Sequence, residues 1–214
     1  DNQLRYSFLK DYDSRVIQNG IDLQVFKPSK SQIFIEDNNL QNKYIILGVA
    51  SVWTERKGFF EFIKLRELLG DEFAIVLVGV NLKLKKMLPQ NILSISRTSN
   101  QSQLAMIYSC SDLYVNLTFE DTFPSTNLES IACGTPVLTY KTGGSPESIF
   151  EGSGYVVNQG DIRSVKNIVE DTKNGVLPKI SKKTLVNIAN KNFNKDNNFI
   201  HYQELYKEIL GTSV

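Results

Sequence analysis

Six short runs of almost uninterrupted hydrophobicity constrain this chain more than anything else in it: YIILGVAS at 44–51, FAIVLVG at 73–79, NILSIS at 91–96, DLYVNLT at 112–118, TPVLTY at 135–140 and GYVVN at 154–158. Each has the length of a strand and is rich in β-branched or aromatic residues. A strand with one wet face alternates apolar and polar residues, whereas a strand covered on both faces does not, and these runs are of the second kind. Between them, GFFEFIKLRELLG, LKLKKML, SQLAMIYSC and TNLESIACG repeat their apolar residues every three to four positions, as helices do. Gly70 and Gly134 follow the last apolar turns as stop signals. Strand, helix, strand is therefore the repeating unit. The expected fold class is α/β, a doubly wound, mostly parallel, Rossmann-like sheet with right-handed crossover helices on both faces.

After Gly160 the pattern becomes helical throughout: 161–175, 181–193 and a C-terminal helix over 195–211, each expected to pack on the sheet rather than form a second domain. The stretch 27–43 is polar apart from IFI at 33–35 and reads as a loop or short linker. No solenoid-type repeat is visible. The 214 residues are thus expected to form one domain, with 1–14 as a tail or interdomain segment. The opening, DNQLRYSFLKDYDSR, reads as the continuation of something before it.

Lysine and arginine total 24 against 23 acidic residues, so no bulk field exists to recruit nucleic acid or an acidic membrane, and any anion must be bound locally. Cys110 and Cys133 have no paired spacing and fit reduced thiols in a cytoplasmic protein. No apolar run approaches the ~20 residues of a membrane span.

In an open parallel sheet, ligands bind beyond the carboxyl ends of the strands where strand order reverses, so the loops after the strands are the places to look. After the first long run, SVWTERKGFF puts Arg56, Lys57 and Gly58 at a helix start. Free amides and the positive end of the dipole gather there, and adjoining cations complete a phosphate site. Two cations at that end are unfavourable without an anion. Neither GxxxxGK nor GxGxxG is present, which disfavours a P-loop or a dinucleotide cofactor. A second loop, FEDTFPSTNLESIACGTPVLTY, carries Asp121 and Glu129, with Pro124 and Ser125 at a helix start between them. A carboxylate there can accept two ribose hydroxyls, and free amides at 125–127 can receive phosphate or sugar oxygens. Spacing alone slightly favours plain capping by Ser125 or Asp121, with Glu129 a solvated helix residue.

These residues carry a resemblance. The segment from Asp121 to Pro136, with ED, F, P, N, LES and ACGTPV in order, resembles the donor loop of the family-four retaining glycosyltransferases, whose fold is GT-B. VIQNGIDLQVF at 16–26 resembles the phrase opening the family's C-terminal domain, RKGFFEFI its lysine–glycine loop, LAMIYSCSDLYVNLT the helix and strand before the acidic motif, and GGSPESIFEGSGYVV the turn, helix and strand after it. The resemblance implies the C-terminal, donor-binding half of such an enzyme, preceded by an acceptor domain absent from this chain, through which alone any membrane contact would come. By the same resemblance Glu129 binds the donor ribose, Asp121 faces the transferred sugar and Lys57 neutralises the diphosphate. Backbone groups from Phe123 through Pro124, Ser125 and Thr126 to Asn127 hold phosphate and sugar, Arg97 and Thr98 lie against the base, and Gly20 and Gly79 border the cleft. The family's usual first acid is glutamate, here the shorter Asp121 with Glu120 beside it as a substitute. Its usual arginine falls at Ser51, leaving Arg56 as a possible replacement.

What is implied is transfer of a sugar from a nucleoside diphosphate sugar with retained configuration, with no cofactor and no metal. The single histidine, His201, falls in the C-terminal amphipathic segment, where surface or packing roles are expected, and Asp112 is expected to start its strand. Two other readings stand beside this one. One is a nucleotide-sugar epimerase or phosphorylase on the same architecture; the other is a non-catalytic nucleotide-binding module. A receiver domain would need its acids in a different loop.

Overall fold

The computed structural model describes residues 7, 8 and 10–211. Half of the tail expected over 1–14, namely residues 1–6 and 9, lies outside them.

All six apolar runs form strands: β1 (Tyr44–Val49), β2 (Phe73–Val78), β3 (Ile92–Ile95), β4 (Leu113–Asn116), β5 (Val137–Tyr140) and β6 (Gly154–Val157). They make one parallel sheet in the order β3-β2-β1-β4-β5-β6. The chain builds outward from β1 to β3, returns past β1, and then builds outward to β6. The reversal falls between β1 and β4, joined in the register Ile46↔Leu113 and Leu47↔Tyr114. Two loops therefore diverge there at the carboxyl edge, which is where a doubly wound sheet opens a crevice.

Successive strand residues go to opposite faces, and both faces are covered, which is why the runs are continuous in hydrophobicity. Ile46, Ile75, Leu77, Val115 and Leu138 point to one side, under α2 (Phe59–Leu68) and α6 (Ile162–Asn174), where they meet Phe59, Phe62, Leu65, Val165 and Val169. Ile45, Leu47, Val76, Val78 and Val137 point to the other, under α4 (Gln101–Cys110), α5 (Ser125–Ala132) and α7 (Lys182–Asn192), where they meet Ile107, Leu128, Ile131 and Leu185. Burying one such side chain is worth roughly 1.5–3 kcal/mol, so the two half-cores outweigh local helix preference.

Three expectations need correction. The polar stretch 27–43 contains α1 (Gln32–Asp37), started by Ser31, whose hydroxyl accepts the Phe34 N–H. Its partly buried Phe34 and Ile35 pack on the second half-core, so IFI suffices for a one-face helix. The helix expected over 82–88 shrinks to α3 (Leu82–Lys85), with Pro89 close behind. The last helix, α8 (Lys195–Leu210), does not pack on the sheet and buries no residue. It is held along a polar side by residues 15–22, through Arg15–Glu208, Lys195–Asp22 and the Asn198 amide donating to Gln18 O. No described helix is long and apolar enough to cross a membrane.

Candidate functional site

The two loops at the β1/β4 reversal are fastened to each other. Gly58 adopts φ +76°, and a Cβ on it would lie 2.2 Å from Leu117 O, so only glycine lets the start of α2 come this close to the end of β4. Beside it, the Phe119 N–H donates to Arg56 O at 2.8 Å and the Arg56 guanidinium donates to Glu120 O at 3.1 Å. The Thr118 hydroxyl donates to Glu120 O at 2.9 Å. Arg56 is thus turned to the neighbouring backbone, and Glu120 is exposed.

This fastening sets two charged side chains face to face. Lys57 Nζ lies 2.6 Å from Asp121 Oδ2, with the two side chains 29% and 17% exposed. They line a cleft of about 240 Å³ together with Ser51, Trp53, Phe123, Pro124, Ser125 and Thr126. Trp53 forms part of its wall, buried, with its indole N–H on Val78 O at 2.8 Å and its ring edge-on to Phe62. Gly79 stands behind it at φ +93°, where a Cβ would collide with Ala50 O at 1.7 Å. From the far side the Gly144 N–H donates to Asp121 O at 3.1 Å.

The N-terminus of α5 opens on this cleft. Its N-cap is Pro124, and no side chain caps it, so the capping alternative through Ser125 or Asp121 is not what forms. Of the amides expected to be free at 125–127, that of Asn127 is taken by Pro124 O, a tight first turn, while Ser125 and Thr126 line the cleft at the positive end of the dipole. What holds α5 in place lies beneath. The Asn116 amide donates to Asn127 Oδ1 at 2.8 Å, and the Asn127 amide donates to the Ser148 hydroxyl at 2.8 Å. Asn127 is fully buried, so its side chain serves this chain of hydrogen bonds, and its N–H donates to Pro124 O.

Glu129 sits one turn further along α5, half-buried, outside the lining of the Lys57–Asp121 cleft. Its carboxylate accepts the hydroxyl of the fully buried Tyr108 at 3.1 Å. Burial pushes its pKa above the usual carboxylate range, partly offset by hydrogen bonds from Tyr108 and Ser125. Burial likewise raises Tyr108 well above an ordinary phenol. Arg97 and Thr98 lie after the edge strand β3, also away from the cleft lining. Gly20 packs against the start of α8, where a Cβ would lie 2.5 Å from Lys195 Cα.

Tyr108, Asn116, Trp53 and Gly144 are the site residues that sequence reasoning passed over. Tyr108 and Asn116 hide inside an apolar helix and an apolar strand, where the one available signal is a polar atom that must find a partner once buried. Asp112 does start β4, with Oδ2 accepting the Ile45 N–H at 2.8 Å, and Cys110 and Cys133 are buried free thiols.

A doubly wound parallel sheet with a cation, an acid and an uncapped helix N-terminus at its strand reversal belongs to the class of α/β domains whose crevice can take an anion. The sequence model for glycosyl transferases group 1 matches residues 30–191, and the chain belongs to that family. A search of curated proteins finds no match. Among solved structures, the chain is similar to sucrose-phosphate synthase from Thermosynechococcus elongatus, at TM-score 0.83 and 20% identity over 99% of this chain and 56% of that one. It is similar to Anabaena Alr3699/HepE in complex with UDP-glucose, at TM-score 0.78 and 18% identity over 91% of this chain and 57% of that one. It also resembles the C-terminal domain of the group 1 glycosyl transferase LpcC from Francisella tularensis, at TM-score 0.59 and 20% identity, covering 86% of this chain and 98% of that one. The fold is that of one half of a GT-B glycosyltransferase, and the chain spans little more than half the length of the first two proteins.

Proposed function

We infer that this chain is the donor-binding half of a retaining glycosyltransferase that takes its sugar from a nucleoside diphosphate sugar. The observation that carries the reading is the meeting of Lys57, Asp121 and the uncapped start of α5 in one cleft at the β1/β4 reversal. As the glycosidic bond breaks, negative charge grows on the leaving diphosphate. Lys57 and the free amides of α5 are suited to stabilise it, being fixed before the reaction starts. No metal or cofactor is needed for that step. Asp121 takes the sugar hydroxyls, and Glu129 takes two hydroxyls of the ribose, its orientation set by Tyr108. The Anabaena protein described with UDP-glucose supports a nucleoside diphosphate sugar as the ligand class. The acceptor and the rest of the cleft belong to a preceding domain, so this chain binds donor and transfers nothing alone.

Calorimetric titration with nucleoside and nucleoside diphosphate separates the assignments. Lys57→Ala weakens the diphosphate and spares the bare nucleoside, more so at low salt. Glu129→Gln weakens both, by roughly 1.5–3 kcal/mol, the worth of hydrogen bonds to a charged group. Equal affinities for the parent chain and Glu129→Gln would remove the ribose assignment.

A further inference from the structure

In the free chain the residues assigned to the diphosphate and to the sugar satisfy each other. Lys57 Nζ and Asp121 Oδ2 stand 2.6 Å apart in a site that is mostly closed to water. Given the reading above, on which this inference rests, a diphosphate and the Asp121 carboxylate compete for one ammonium group.

The backbone cannot relieve that competition by moving apart. The Lys57 N–H is tied to Thr54 O and to the Thr54 hydroxyl, at 3.1 and 3.2 Å. Asp121 O is tied to the Gly144 N–H, and the two loops are joined through Arg56 and Phe119. The side chains must move instead, and the four-carbon lysine stem has the longer reach of the two. When it turns to a phosphate, Asp121 is left as an ionised group with little water, close to a second anion. That position is costly unless new donors arrive.

A nucleoside diphosphate sugar supplies such donors, since its sugar hydroxyls reach the vacated carboxylate. A bare nucleoside diphosphate supplies none, and its terminal phosphate carries additional negative charge. We propose that the Lys57–Asp121 pair exchanges partners on binding and thereby selects the intact donor over the nucleoside diphosphate product, with Asp121 as the specificity determinant. The same carboxylate that holds the sugar then loosens the product once the sugar has left.

The test is a double-mutant cycle on the chain, with UDP, GDP, ADP and their glucose conjugates as probes and Asp121→Asn as the near-isosteric variant. Circular dichroism melting of each variant establishes that it is folded, and Asp121→Ser serves if the asparagine variant is not. Removing the carboxylate charge is expected to tighten the nucleoside diphosphate about 2- to 5-fold, the range that a partly exposed ion pair supplies. The glucose conjugate should gain less or lose affinity, so the ratio between the two ligands falls. In a Lys57→Ala background, Asp121→Asn should tighten the nucleoside diphosphate by a distinctly smaller factor. An Asp121→Asn chain that binds the nucleoside diphosphate no better than the parent overturns the exchange while leaving the donor site standing. An identical factor with and without Lys57 also overturns it, by reducing Asp121 to simple repulsion. A parent chain that binds none of the probes removes the donor site, and the exchange with it.

Discussion

The α-helices of the described residues divide into two groups by how they begin. Among the described residues, α1, α3, α4, α6, α7 and α8 each start with a side chain that accepts an amide hydrogen bond, from Ser31, Asn81, Asn100, Asp161, Ser181 and Asn194. The remaining two, α2 and α5, start at Gly58 and Pro124, which have no side-chain acceptor. These two begin at the β1/β4 reversal, on either side of the Lys57–Asp121 pair. Capping is the local way to settle the first amides of a helix, and it closes them to anything else. Where no side chain caps the start, position must come from elsewhere. For α2 it comes from the contact of Gly58 with Leu117, and for α5 from the buried amides beneath it.

That contrast can be broken most severely at Asn127. Asn127→Ala leaves the Asn116 amide without an acceptor in the core, at a cost of about 1–3 kcal/mol. Urea unfolding should show the loss, and a cost under a few tenths of a kcal/mol would mean that α5 is held by something else. Ser181→Ala, at a capped helix remote from the cleft, should cost about 1 kcal/mol with nucleotide affinity unchanged. Pro124→Ser tests the converse. Its backbone, at φ −70° and ψ 111°, already suits a capping serine. The gained cap and the lost proline rigidity nearly cancel, leaving a stability change of only a few tenths of a kcal/mol. Diphosphate affinity should nevertheless fall, because the new hydroxyl takes an amide meant for phosphate.

Glu129 gives a subtler test, read as a slope with pH. Its folded pKa is raised by burial above the unfolded value, so its contribution favours folding below the unfolded pKa and is lost as pH rises through the folded one. Glu129→Gln should therefore melt higher than the parent at neutral pH, and that advantage should vanish as pH falls below the unfolded carboxylate range. A parallel pair of melting curves across pH would contradict the assigned burial of the charge.

All six strands were legible because a strand buried on both faces leaves an unmistakable apolar run, as in FAIVLVG. The order of the strands was not, since periodicity describes faces and says nothing about neighbours. Helix α1 escaped because three apolar residues seemed too few, although Ser31 marks its start. The third C-terminal helix showed an apolar stripe, but a stripe cannot say whether anything covers it, and Phe199, Tyr206 and Ile209 are in fact exposed. For the site, the loops could be found because chemistry follows strand ends in this architecture. The union of Lys57 with Asp121 spans 64 residues and depends on the Gly58–Leu117 contact, which no local pattern contains.

Trp53 adds an optical consequence. It is the chain's single tryptophan, fixed in the cleft wall by its bond to Val78 O and beside the loop that carries Lys57. All indole emission from this chain therefore originates at one wall of the candidate site. Light excited selectively from tryptophan reports the polarity and hydration of that wall, with no label attached and no other indole to obscure it.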